Sequence, residues 1–193
     1  MGRQEVDLIV AHAAELVTAA GKNARPASGT QQGDIVVVQD GAVAVQRGRT
    51  LQIGRSSEIL SKYRSKHVID ATGRTVLPGL VDPHTHLVFA GSRDREFEMR
   101  LAGKTYMEIL AAGGGILSTV AETRKTGRRR LTQICSDRAR SLLLHGTTTI
   151  EVKSGYGLST ADEIKCLEVA KALQKAGPFD IVPTFLGAHA IPE

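Results

Sequence analysis

The run Pro78-Gly79-Leu80-Val81-Asp82-Pro83-His84-Thr85-His86 places two histidines two residues apart at the end of a strand-like stretch. In extended backbone, residues i and i+2 share a face, so both imidazoles can reach one cation. Neutral imidazole suits Zn, Fe and Ni, and two such donors leave positions for further ligands and a water. The competing reading is a pair of surface histidines in a turn. Three more positions carry polar chemistry after apolar runs. Arg93 follows the histidine pair on a loop, and its fixed charge and forked donors match a carboxylate; with Asp94, Arg95 and Glu96 beside it, an exposed loop arginine is the alternative. Tyr156 lies between Gly155 and Gly157, where the backbone can approach a ligand and the phenol can donate to a carboxylate or carbonyl; the alternative is a tyrosine packed in a turn. His189, in Gly187-Ala188-His189-Ala190, reads on its own as a hydrogen-bonded structural residue. Glu151 and Lys153 leave one strand at i and i+2 and form a candidate buried ion pair. Gly113-Gly114-Gly115 lacks the following Lys and Ser/Thr of a phosphate-binding loop and reads as a bend that lets a lid cross a ligand.

Two kinds of pattern must carry these side chains. Residues 1–78 are β-rich with period two. Residues 34–38 and 42–45 flank Gln39-Asp40-Gly41, a hairpin-turn signal, and further short strands are predicted over 50–53 and 67–70. Residues 20–29, rich in small and turn-forming types, read as a loop within this module. Beyond it the order is strand, loop, helix. A strand is predicted over 75–82 and a helix near 106–110. A second helix over 131–145 carries Leu131, Ile134, Cys135, Leu142 and Leu143 near one face and stops at Gly146. A buried strand over 147–152 follows. Thr160-Ala161-Asp162-Glu163 fits a capping box for a helix bearing Ile164, Leu167, Ala170 and Leu173, which Gly177-Pro178 ends before a strand over 181–186. Strands alternating with helices imply an α/β fold with a parallel sheet. After residue 78, 193 − 78 = 115 residues remain, whereas a closed (β/α)8 barrel takes about 250. The expectation is an N-terminal β-sandwich module, 1–78, followed by the first βα units of a TIM-like barrel, 79–193, in a truncated chain.

Composition narrows the classes. With 193 residues, 41% hydrophobic and 23% charged, the chain is an ordinary globular sequence. No run approaches the roughly 20 apolar residues of a membrane span, and Met1-Gly2-Arg3-Gln4-Glu5-Val6-Asp7 lacks a secretory layout, so a cytoplasmic protein without membrane partners is expected. Cys135 and Cys166 have no metal-type spacing and read as reduced, small apolar residues. The net charge of +5 raises nucleic acid as a partner, but the basic run Arg124-Lys125-Thr126-Gly127-Arg128-Arg129-Arg130 has no interleaved aromatics and reads as a solvated face.

Four blocks carry a resemblance: residues 77–93 around His84 and His86, residues 112–120 around the triple glycine, residues 146–157 ending in Lys153-Ser154-Gly155-Tyr156-Gly157, and residues 184–192 around His189. The first resembles the amidohydrolase superfamily at large. The other three resemble, within it, the imidazolonepropionase family of histidine degradation. The likeness runs from about residue 67 onward, and the earlier part is compatible with the family's β-sandwich. It implies a hydrolase that cleaves the cyclic amide C–N bond of 4-imidazolone-5-propanoate to N-formimidoyl-L-glutamate with a water activated by one Zn or Fe ion per protomer. It implies that His84 and His86 are metal ligands, that a later His and Asp outside these residues complete the sphere, and that the general base also lies outside them. It implies that Arg93, Tyr156 and His189 bind the substrate, with His189 also catalytic as a hydrogen-bond partner or as polariser of the scissile carbonyl. A homodimer is expected of the full-length protein. His12, His67 and His145 read as structural. The alternatives are another cyclic amidohydrolase, such as a dihydroorotase-like enzyme, a deaminase, or an inactive fragment with only a structural role. Some relatives use a carboxylated lysine as a metal bridge, but from a later strand, so Lys153 is not assigned as a ligand.

Overall fold

The computed structural model describes residues 2–18 and 27–191. Contacts divide the chain into two units, Met1–Pro78 and Gly79–Glu193.

In the first unit, β1 (Gln4–Glu5), β2 (Leu8–Thr18), β3 (Val36–Gln46), β4 (Arg49–Arg55), helix α1 (Ser56–Lys62), β5 (Tyr63–Arg64), β6 (Val68–Asp70) and β7 (Thr75–Val76) follow one another, with a short 3-10 helix at Gly29–Gly33. A five-stranded sheet runs β4-β3-β2-β6, with β7 also pairing β2, and β1 pairs β5 separately. Period-two alternation turns Ile9, Ala11, Ala42 and Ala44 inward, where they pack with Val6 and with Ile59 of α1. Of the loop predicted over 20–29, residues 20–26 lie outside the described residues; Gly29 opens the 3-10 helix.

Asp40-Gly41 does not make the predicted hairpin turn. β3 runs through it, paired to β2 on both sides, and the register slips between Val10 and Ala13. His12 and Asp40 take positive φ, 60° and 47°, which marks a bulge in the strand pair. Gly41 is needed for close approach, since a β-carbon there would overlap that of Leu16. The hydroxyl of Ser56, only 1% exposed, accepts from His12 N and donates to the Asp40 carbonyl, both at 2.9 Å. The hairpin turn lies instead at Arg47-Gly48, φ 53° and 69°, the pair of positive values that suits a two-residue link between antiparallel strands.

In the second unit, β8 (Leu80–Thr85) leads to α2 (Asp94–Leu101), α3 (Tyr106–Ala111), α4 (Ile116–Lys125) and α5 (Arg128–Leu144), then β9 (Thr147–Lys153), α6 (Thr160–Ala176) and β10 (Asp180–Thr184). The three strands form a parallel sheet in the order β10-β9-β8. The strand predicted over 75–82 is therefore two strands, in different sheets and units, broken at Pro78-Gly79. Between Asp82 and Thr85 the β8–β9 register slips at Pro83, which has no N–H to pair. Sheet and helices enclose a core of Leu87, Val88, Leu131, Cys135, Ala139, Ile150, Val152, Cys166, Val169, Leu173 and Ile181. Cys135 of α5 and Cys166 of α6 are free thiols inside it, and burial pushes them up to about 11 and about 12.

Two readings of α6 are corrected. Its cap is Ser159, whose hydroxyl accepts from Asp162 N, one residue before the predicted Thr160. Its buried face is Glu163, Cys166, Val169, Ala170 and Leu173, while Ile164 is 52% exposed. Both stripes recur at helical spacing; Cys166 and Val169 sit over the sheet, and Ile164 does not. Among the described residues, no helix is long and apolar enough to cross a membrane.

Candidate metal and substrate site

The C-terminal ends of the three parallel strands bring five rings together. His86, just past β8, stacks on His189, which follows β10, with ring centroids 4.3 Å apart and planes within 11°. Tyr156, which follows β9, stands edge-on to both at 5.4 Å. Phe89 meets Tyr156 at 5.4 Å, and the Arg138 guanidinium covers Phe89 at 3.7 Å while donating to the carbonyls of Leu87 and Phe89. His84 lies 6.1 Å from His86, edge to face.

His86 Nδ1 is buried without a hydrogen-bond partner. Such a group costs free energy unless something else binds it, and a metal ion is one such partner. Burial pushes the His86 pKa down, and the charges of His189, His84 and Lys153 act in the same direction, so the ring is held in the neutral form that ligates metals. Among the described residues, no group of three or more His, Cys, Asp or Glu could hold a metal ion.

Tyr156 sits in a loop whose backbone is held by side chains. The Glu163 carboxylate, 4% exposed as a residue, accepts from Gly155 N at 2.9 Å through Oε2 and from Gly157 N and Leu158 N at 2.8 Å through Oε1. Arg124 donates to the carbonyls of Gly157 at 2.7 Å and Leu158 at 3.0 Å. His189 Nδ1 lies 3.1 Å from the Gly155 carbonyl, and Ser154 Oγ accepts from Leu186 N at 2.9 Å. Gly155 has φ 110°, and a β-carbon there would meet the Leu186 carbonyl at 2.8 Å and His189 Cβ at 2.6 Å. Sequence reasoning missed these supports. Glu163 was absorbed into a capping box, and Arg124 into a solvated basic run; Arg128 of that run pairs with Glu168 at 2.8 Å.

The hydrogen bonds of Arg93 end on Glu96 and not on the ring cluster. Its Nε and Nη2 both donate to Glu96 Oε2, at 2.9 and 2.7 Å, and Glu96 Oε1 accepts from Gly115 N at 2.7 Å. The hydrogen bond from Arg93 holds the Glu96 carboxyl below the usual range against the opposing effect of burial. Arg93 lines one cavity of about 420 Å³ with Gly113, Gly114, Met99 and Ile109. The glycines join α3 to α4 and are tied down through Gly115, so the bend predicted for them is anchored to Glu96. Beneath the rings, Lys153 and Glu151 form the expected ion pair, both largely buried. Burial alone would raise the Glu151 carboxyl, but hydrogen bonds from Lys153 and Thr184 outweigh it and lower the pKa.

The sequence profile of the amidohydrolase family matches residues 67–171, more than half of the chain. The chain belongs to the amidohydrolase family. The chain is 48% identical over 187 residues to the imidazolonepropionase of Brevibacillus brevis, an alignment covering 95% of this chain and 44% of that protein. It is 49% identical over 190 residues to the imidazolonepropionase of Symbiobacterium thermophilum, covering 97% and 44%. The chain thus spans less than half the length of these two curated relatives. In fold it is similar to an adenosine deaminase from Xanthomonas campestris solved with bound zinc, with a TM-score of 0.59 at 15% identity over 95% of this chain and 43% of that one.

Proposed function

We propose that these residues form part of an imidazolonepropionase, a hydrolase that opens the ring of 4-imidazolone-5-propanoate at its cyclic amide C–N bond to give N-formimidoyl-L-glutamate. The observation that carries this reading is the convergence of His86, Tyr156 and His189 at the chain ends of three parallel strands, around a histidine nitrogen left without a partner; the high identity to two curated imidazolonepropionases supports it. The parallel sheet is read as the first three strands of a TIM-like barrel, 79–193, and the N-terminal unit, 1–78, as part of a β-sandwich. The protein is read as a cytoplasmic homodimer, and the reduced thiols fit that compartment.

His84 and His86 would hold one Zn or Fe ion, with the remaining ligands and the general base supplied by the length of the relatives that this chain does not span. When bound, the metal supplies a water that ionises near neutral pH and a Lewis acid for the ring carbonyl. Arg93 reads the substrate propionate with the guanidinium edge that Glu96 leaves open. Tyr156 donates its phenolic hydrogen to the substrate. His189 serves as catalytic partner of the ring. A carbonyl only accepts, so the His189 contact with the Gly155 carbonyl places a proton on Nδ1, and the neutral ring carries its lone pair on Nε2, free to accept from a substrate N–H.

The test is an intact protein of the relatives' length carrying these residues, loaded with Zn or Fe and assayed by loss of imidazolonepropionate absorbance. Turnover with about one bound ion per protomer is expected. A folded, metal-loaded protein without turnover would sink the reading. The 193 residues alone, with two histidine donors, are expected to give none.

A further inference from the structure

We infer that Glu163 is the positioning residue for Tyr156, its carboxylate fixing the 154–158 loop in the one shape that presents the phenol beside His86 and His189. This rests on the reading of Tyr156 as a substrate contact.

A buried carboxylate must be compensated by hydrogen bonds or an opposite charge. Glu163 finds three backbone N–H donors, and all three belong to the loop around Tyr156. A glutamate in the first turn of a helix would ordinarily serve the N–H groups of that turn, and the positive end of the helix dipole favours its charge there. Here Ser159 caps α6 instead, through Asp162 N, so the carboxylate is left to the loop. Arg124 meets the same loop from its carbonyl side, at Gly157 and Leu158. Polar backbone groups on both sides of Tyr156 are therefore fixed by two side chains of opposite charge.

The loop needs such holding. Leu158 has φ 50°, a conformation that costs a bulky residue and persists only where its surroundings enforce it. Its N–H ends on Glu163 and its carbonyl on Arg124, so both sides of the strained residue are held. Gly155, with no room for a β-carbon against His189 and Leu186, passes the constraint on: its N–H ends on Glu163 and its carbonyl on the His189 ring. One carboxylate thereby sets the placement of Tyr156 and reaches His189 through a single residue, Gly155.

The experiment is a double-mutant cycle in the intact, metal-loaded protein, with KM, kcat and Tm measured for each member. Glu163→Gln leaves one acceptor oxygen for three donors, so at least the Gly155 or the Gly157 and Leu158 bonds are lost. It is expected to raise KM about tenfold or more, since small misplacements of a binding group carry large kinetic penalties, and Glu163→Ala more still. In a Tyr156→Phe background the same change in KM should shrink to within about twofold, because the group being positioned is gone, while the fall in Tm stays the same in both backgrounds. Arg124→Gln, at a half-exposed side chain, repeats the pattern more weakly and carries the test if the Glu163 variants do not fold. An equal KM penalty with and without the phenol, where Tyr156→Phe is itself costly, overturns the inference and leaves the site reading standing. If Tyr156→Phe alone is silent, the reading of Tyr156 as a substrate contact falls, and the inference falls with it.

Discussion

The N-terminal unit and the parallel-sheet unit each contain a kinked stretch of backbone held by a buried polar side chain, and they differ in what the kink presents. In the first, His12 and Asp40 take positive φ across a strand pair, and the neutral hydroxyl of Ser56 closes the gap with one bond accepted and one donated. In the second, Gly155 and Leu158 bracket Tyr156, and the clamp is a carboxylate and a guanidinium making five bonds to the loop. Each unit also has one buried polar atom without a partner among the described residues, Gln46 Oε1 and His86 Nδ1. The Gln46 amide is already anchored through its nitrogen to Asp7. The His86 nitrogen belongs to a ring in contact with three other rings that can bond or ligate. A kink satisfied from within is architecture; a kink clamped by charge beside an unpartnered histidine nitrogen is where we propose a ligand.

That contrast breaks most sharply at the histidines. In the intact protein, His84→Ala or His86→Ala should lower metal content and cut turnover by more than about a hundredfold, beyond the 10–100-fold typical of changes one shell further out. Elemental analysis with the absorbance assay checks it, and a fully metal-loaded His86 variant would erase the distinction between the two orphaned atoms. Next in size, Arg93→Ala should weaken substrate binding about 10–150-fold while the metal stays, because a charge-assisted hydrogen bond contributes roughly 1.5–3 kcal/mol. With an analogue lacking the propionate carboxylate the change should be nearly silent; an equal loss would mean that Arg93 serves the Glu96–Gly115 joint and reads no substrate. Smaller again, Ser56→Ala should cost about 1–3 kcal/mol of stability by leaving His12 N and the Asp40 carbonyl unpaired, visible as a lower Tm, with KM and metal content unchanged. Any loss of metal in that variant would show that the kinks are not independent.

The smallest effect concerns Glu108, whose carboxyl is held down to about 2, against an ordinary 4.5, by hydrogen bonds from Thr105 and Lys104 at the start of α3. Because the folded value is the lower one, the support is fully present above about pH 4.5 and fades as pH falls toward 2. The protection of α3 amides relative to their intrinsic exchange rate should fall through that window, and Thr105→Ala should flatten the dependence.

The parallel pairing of β8, β9 and β10 was legible because strands alternate with helices long enough to cross a sheet, and His84, His86 and Tyr156 stood out as candidates because each ends or follows such a strand, whereas His189 read by itself as structural and became a candidate only through the family resemblance. Asp40-Gly41 misled because a dipeptide that favours positive φ serves a bulge as well as a turn, and only the pairing of β3 to β2 on both sides decides between them. On α6, the Ile164 and Cys166 stripes are equally periodic, and periodicity does not say which faces the sheet. Glu163 and Arg124 were unreadable for a related reason: their partners here are backbone groups of a loop, and no residue type marks a loop N–H or carbonyl as waiting for a charged side chain.

The two core thiols give the second unit an internal clock. Only a thiolate attacks an alkylating reagent, and with Cys135 at about 11 and Cys166 at about 12 both are protonated at neutral pH as well as enclosed. They sit on different helices of the same core. Labelling in the native state therefore proceeds through opening of that core, and the ratio of the two labelling rates reports whether α5 and α6 lift away from the sheet separately or as one body.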